Sequence, residues 1–177
     1  MIRTVIILFF FNSIIYSQEI DVLESVYQQT TELKRGSYKP PKNIATDLVK
    51  ECNQRIEENP NDWQAYYQRA KSHQILYDFK LSIEDTDVLI ANGELLNFAF
   101  WIQGESYIYL KDFVKAIEAY KKAINYYQQP YTKARINFII GMCYIQIEKE
   151  DQACLYFEKM GDYRTHNAFK QANQYCQ

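Results

Sequence analysis

Glycine and proline are scarce in this chain, with five and four residues among 177. All-β folds built from many tight turns draw heavily on both. Strand-type alternation is also absent, whereas apolar residues recur at three- and four-residue steps from about residue 44 onward. That period predicts an all-α chain. Only two histidines are present, His73 and His166, far apart in sequence. No Cys-x2-Cys pair, His-Glu-x-x-His, Gly-x-Ser-x-Gly or Gly-rich phosphate loop occurs, so neither a metal nor a cofactor is implied. Basic and acidic residues nearly balance, 20 against 22, and no basic run stands out beyond Lys34-Arg35. The electrostatic footprint of nucleic-acid binding is therefore missing.

Catalysis finds little else to rest on. A thiol nucleophile made from Cys52 and His73 is the only formal candidate; the plainer expectation for His73 is a packed or capping histidine, and for His166 an exposed one. The acidic residues Glu84, Asp85 and Asp87 are spaced as a solvated helix face.

The first residues have a different character. Arg3 precedes thirteen mostly apolar residues, Thr4 to Tyr16, interrupted by Asn12-Ser13. The run is short for a bilayer span. It fits a signal peptide over 1–17, with Ser17 before the cleavage point, although Ile15 is not small. An uncleaved anchor is the alternative. The Tyr-Ser-Gln ending resembles export signals of Bacteroidetes-type bacteria. The expected location is thus periplasmic, extracellular or otherwise associated with the cell envelope, with no stable membrane span after cleavage. Cys52, Cys143, Cys154 and Cys176 would then meet an oxidising compartment. Cys143 and Cys154 flank one predicted turn almost symmetrically, which leaves a disulfide open; two small buried apolar residues is the favoured reading.

The remaining positive signal is internal repetition. Gly104 and Gly141 sit mid-helix by pattern, and each is followed by an alanine twelve residues later, Ala116 and Ala153, then by an aromatic residue, Tyr120 and Phe157. A glycine inside a helix costs about 1 kcal/mol against alanine. Carrying that cost twice in register points to close packing between helices. A decayed copy lies 34 residues before the second, reading Tyr66, Arg69, Ala70, His73, Ser82 and Thr86. The second reads Phe100, Gln103, Gly104, Tyr107, Ala116 and Tyr120, and the third Asn137, Ile140, Gly141, Tyr144, Ala153 and Phe157. This W-x2-L-G-x2-Y…A-x3-F spacing resembles the tetratricopeptide repeat. Gly104 to Gly141 spans 37 residues rather than 34; the three extra residues are expected at the end of the helix before Pro130.

The resemblance, over roughly residues 62 to 160, implies an antiparallel helix-hairpin solenoid. The expected layout is an N-terminal helical hairpin or cap over 18–61, three repeats over 62–162 and a capping helix over 163–177. Predicted helices run over about 20–33, 44–58, 62–76, 79–91, 95–110, 112–128, 131–147, 150–160 and 164–175, with an extended linker from Lys34 to Lys42. Gly93 and Gly161 read as helix stops. Ala168, Phe169, Ala172 and Tyr175 form the apolar side of the last helix.

In this family the first helix of each pair lines a groove that takes peptides or helices. The places so implied are Tyr67, Gln68 and Lys71, then Trp101, Ile102 and Glu105, then Phe138, Ile139 and Met142. Tyr109 and Ile145 fall on the same side. Members that grip a chain-terminal carboxylate use Lys, Asn and Arg at these places; here only Lys71 fits. The implied function is a non-catalytic adaptor with an apolar groove for a protein partner. The alternatives are a self-associating homodimeric module and, with least support, a thiol-dependent enzyme. Stacking of Tyr67, Trp101 and Phe138 as ordinary packing competes evenly with the groove reading.

Overall fold

The computed structural model describes residues 42–165 together with 172, 175 and 176. The expected leader, the 20–33 helix, most of the linker and His166 lie outside the described residues, as do Ala168 and Phe169 of the expected last helix. Seven α-helices follow one another: α1 (Lys42–Glu58), α2 (Trp63–Ile75), α3 (Phe79–Ala91), α4 (Leu96–Tyr109), α5 (Phe113–Ala123), α6 (Pro130–Gln146) and α7 (Glu150–Glu158). Each helix packs on the next, and α2 also touches α4. The pairs α2–α3, α4–α5 and α6–α7 are therefore three stacked hairpins, with α1 against the first. α1 begins at Lys42, inside the segment expected to be linker.

The three hairpin turns share one geometry. Tyr77, Lys111 and Glu148 adopt left-handed backbone with φ of 66°, 60° and 58°. Immediately after each, a backbone N–H closes the preceding helix: Asp78 donates to the His73 carbonyl at 2.8 Å, Asp112 to Tyr107 at 2.9 Å, and Lys149 to Tyr144 at 3.0 Å. This is the six-to-one bond that ends a helix when one residue turns left-handed. Its acceptors are the tyrosine position of the repeat and its histidine substitute. Gly93 (φ 73°) plays the same part after α3, with Glu94 N–H on the Leu89 carbonyl at 2.9 Å. Asp62 and Asp112 cap α2 and α5 by accepting from Ala65 N–H at 3.0 Å and Lys115 N–H at 3.2 Å.

Each repeat glycine makes room for the aromatic ring on the second helix of its own hairpin. A Cβ built on Gly104 would stand 2.7 Å from the Tyr120 ring, and one on Gly141 would collide still more closely with Phe157. Both rings are fully buried, as are Ala116 and Ala153. The first hairpin solves the same problem in reverse. There Ala70 replaces the glycine and Thr86 the aromatic, and both are fully buried. A larger residue on α2 is matched by a smaller one on α3.

The extra residues of the third repeat are not where the sequence placed them. α5 ends at Ala123; a 3-10 turn over Ile124–Tyr126 follows, then extended backbone at Tyr127 (φ −109°, ψ 134°). The added turn belongs to α6, which has 17 residues against 14 in α4. Pro130 explains this: it has no N–H to donate and its fixed φ suits a first helical turn, so it opens α6. The chain ahead of it is turned away from helix.

Two further expectations change. Cys154 is bridged to Cys176, 22 residues on, while Cys143 and Cys52 are free and buried. Cys143 thus behaves as a small buried apolar residue, and Cys154 does not. Asp85 is not on a solvated face: it is 3% exposed and takes a bidentate bond from Arg69, with Nη2 at 2.6 Å and Nε at 3.0 Å. The leucine place of the motif is occupied by the half-buried Arg69, so an ion pair to a buried carboxylate replaces an apolar contact; Arg69 Nη1 also donates to Asn53 on α1 at 2.7 Å. Beyond α7, a 3-10 turn covers Gly161–Thr165, and Ala172 is fully buried as its predicted apolar face requires.

Candidate functional site

The first helices of the hairpins, α2, α4 and α6, carry all nine groove positions. The structure divides these residues by depth. Trp101, Ile102, Phe138, Ile139 and Met142 are buried, between 1% and 7% exposed. They form a lower layer rather than an open lining. Tyr67 and Glu105 are half-buried, and Gln68 and Lys71 are exposed. Tyr109 is half-buried and stacked on Phe79 at 4.5 Å, while Ile145 is buried.

Trp101 explains the depth of its layer. Its indole meets Tyr120 edge-on at 5.7 Å and Tyr127 at 5.8 Å, and Arg135 covers it at 4.8 Å. The indole N–H donates to Glu105 one turn along α4. Phe138 lies 6.0 Å from Phe157 in the neighbouring helix. Periodicity alone could not separate these positions from surface, because α4 and α6 are apolar on nearly all sides and each packs on more than one neighbour.

Closer to solvent, α2 and α4 carry an accessible aromatic strip. Tyr67 of α2 and Phe98 of α4 meet at 5.1 Å across the helix boundary, and Phe98 is 42% exposed. The Lys71 ammonium stands 5.5 Å over the Tyr67 ring. Tyr127 is half-buried, and its hydroxyl donates to the Asn97 carbonyl at 3.2 Å. Burial, aided by the Glu105 charge, pushes its phenol up to about 12. Phe98, Tyr127 and Arg135 were missed from sequence. A signal existed: extending each stripe one turn toward its N-terminus reaches Gln64, Phe98 and Arg135, which share a register. Beside this face, Asn59, Asn61, Asp62, Trp63, Gln64, Glu94 and Leu95 line an open polar cleft of about 460 Å³.

The thiols do not look activated. Burial pushes both Cys52 and Cys143 up, opposite to what a nucleophile requires. His73 is 8% exposed and burial lowers its pKa. Its Nδ1 has no hydrogen-bond partner among the described residues and lies 4.0 Å from an Asp78 carboxylate oxygen. Among the described residues no group of three or more His, Cys, Asp or Glu is arranged to hold a metal ion, and no helix is long and apolar enough to cross a membrane.

Comparison with known proteins agrees with this geometry. Residues 98–129 and 134–160 each match a tetratricopeptide-repeat family model. They cover the second and third copies; the first, with His73 and Thr86 at its signature places, falls outside both matches. No curated protein matches the sequence. Among solved structures, a crystal structure of MamA aligns with a TM-score of 0.60 at 17% identity, over 78% of this chain and 84% of that one. MamA 41-end from Desulfovibrio magneticus RS-1 aligns with a TM-score of 0.60 at 17% identity, over 89% and 90%. The protein is an all-α helical solenoid built of tetratricopeptide repeats.

Proposed function

We propose that this tetratricopeptide-repeat protein is a non-catalytic, exported adaptor that holds a peptide, helix or partner domain along the face of α2, α4 and α6. Its repeats support a role as a protein-interaction scaffold. The observation that carries the finer reading is the strip of Tyr67 and Phe98, flanked by Lys71 and Gln68, left accessible on helices whose other groove positions are largely packed. A face whose backing is already ordered loses little freedom on association. Aromatic rings with an adjacent cation are typical anchors of protein interfaces. The Cys154–Cys176 bridge supports export, because disulfides persist in oxidising compartments.

Truncating Trp101 or Phe138 would disturb the core, so the test uses the accessible layer. The double variant Tyr67→Ser, Lys71→Glu is expected to lose at least ten-fold of its capture of envelope proteins, with melting within a few degrees of the parent. Unchanged capture refutes the reading. Two exposed rings, Phe98 of the strip at 42% and Tyr126 of the 3-10 turn at 46%, also favour self-association as a second reading. Light scattering across a concentration series separates the two: a dimer that persists at nanomolar protein and dissociates in the Tyr67→Ser, Lys71→Glu form supports a homodimeric module.

A further inference from the structure

Arg135 carries a charge that packing does not explain. It lies in the second turn of α6, 3% exposed. Its Nε and Nη2 have no hydrogen-bond partner among the described residues. Burying a guanidinium with open N–H groups costs stability, and apolar side chains of similar volume often do as well or better at such places. Stacking on Trp101 offsets part of that cost but satisfies none of those N–H groups. A second side chain packed on the same indole, Tyr120, also carries an open group. The Tyr120 hydroxyl is fully buried, has no partner among the described residues, and lies within the field of Arg135. Burial keeps that phenol protonated, so it is a donor. Two side chains with three unsatisfied donor atoms therefore pack on one indole. Glu105 lies in the same field and accepts from the indole, yet it meets neither Nε nor Nη2.

We infer that Arg135, with Tyr120 beside it, is an anionic subsite of the partner face, receiving the side-chain carboxylate of a glutamate carried by an apolar segment of the partner. This rests on the reading of α2, α4 and α6 as the binding face. The depth of the guanidinium selects the ligand. A glutamate can insert its carboxylate on a slim apolar stem while its own backbone stays outside. A chain terminus would have to bring its last peptide group into the apolar wall and leave that group unbonded. The carboxylate would meet the planar fork side by side, the geometry in which guanidinium–carboxylate bonds are strongest.

The test uses a Trp63→Phe background, in which Trp101 is the sole indole of a two-tryptophan sequence. Its emission is titrated with acetyl-Leu-Glu-Phe-amide, the glutamine counterpart, and acetyl-Leu-Phe with a free terminal carboxylate. The expected result is a saturable response to the glutamate peptide and at least ten-fold weaker binding of the other two. Arg135→Met is expected to abolish the response while melting no lower than its parent, and Tyr120→Phe to weaken it several-fold. An equal response to the glutamine peptide overturns the inference, as does tighter binding of the free acid. So does an Arg135→Met form that keeps the response, or that melts well below its parent because the arginine is structural. If the glutamate peptide is silent while partner capture still depends on Tyr67 and Lys71, the subsite falls and the face stands; if both fail, the face falls with it.

Discussion

Replacing Gly104 by alanine tests the packing on which the hairpin stack depends. In an ordinary helix the change would stabilise by about 1 kcal/mol, since alanine is the better helix former. Here the new methyl would lie 2.7, 2.8 and 3.0 Å from three atoms of the Tyr120 ring. That ring cannot easily step back, because it is fully buried and held edge-on against Trp101 at 5.7 Å. Forcing a methyl into such a site costs about 1–3 kcal/mol. Set against the propensity gain, the loss should exceed the gain, with a net destabilisation of about 1 kcal/mol. Gly141→Ala should cost more, because its clash with Phe157 is closer. The assay is urea unfolding followed by helical circular dichroism, where the midpoint should fall and the slope stay constant. The cause is isolated by a cycle with Tyr120→Leu, which shortens the ring. The pair should couple by at least about 1 kcal/mol, as contacting residues do. A Gly104→Ala protein more stable than the parent, or costs that simply add, would refute the idea that these glycines exist to seat the rings.

Three other outcomes follow from the same coordinates. Lys111 is exposed with φ of 60°, so Lys111→Gly should raise stability by up to about 1 kcal/mol by relieving the left-handed strain, read as a higher urea midpoint. Asp85→Ala leaves the half-buried Arg69 guanidinium without its carboxylate, although Asn53 still accepts from it, and should cost about 1–3 kcal/mol, whereas replacing both residues by leucine and methionine should be close to neutral in thermal melts. Burial holds the folded-state pKa of His73 below its ordinary 6.5, outweighing the opposing pull of Asp85 and Asp78. The unfolded chain therefore takes up the proton first: the stability present above pH 6.5 is lost as pH falls from 6.5 toward the folded value, with no further loss below it. Unfolding midpoints at pH 7.5 and 5.5 should differ more in the parent than in His73→Gln.

Much of the fold was legible because repetition records packing in the sequence itself. Small residues in register at Gly104, Ala116, Gly141 and Ala153, with rings at Tyr120 and Phe157, specify hairpins that touch at fixed heights. The exchange of Ala70 and Thr86 for glycine and aromatic in the first hairpin is also written in the sequence, but it reads as complementary only once the equivalent positions of the other hairpins are seen to meet. Helix ends were clear where one residue imposes them, as Gly93 does; the end of α5 was misplaced, at about 128 rather than Ala123, because no glycine or proline before Pro130 marks the break.

By itself, the sequence determined the helices, their pairing into hairpins and which helices carry the groove positions, since each follows from local period and repeat spacing. Only the tertiary structure decided which of those positions lie deep and which are open. It alone buried Trp101 and Phe138 while leaving Tyr67 and Phe98 partly open, bridged Cys154 to Cys176 rather than to Cys143, and buried Arg135 and Asp85. Depth is set by neighbours distant along the chain, and a helix that is apolar on nearly every side, as α4 and α6 are, carries no mark of which side those neighbours will cover.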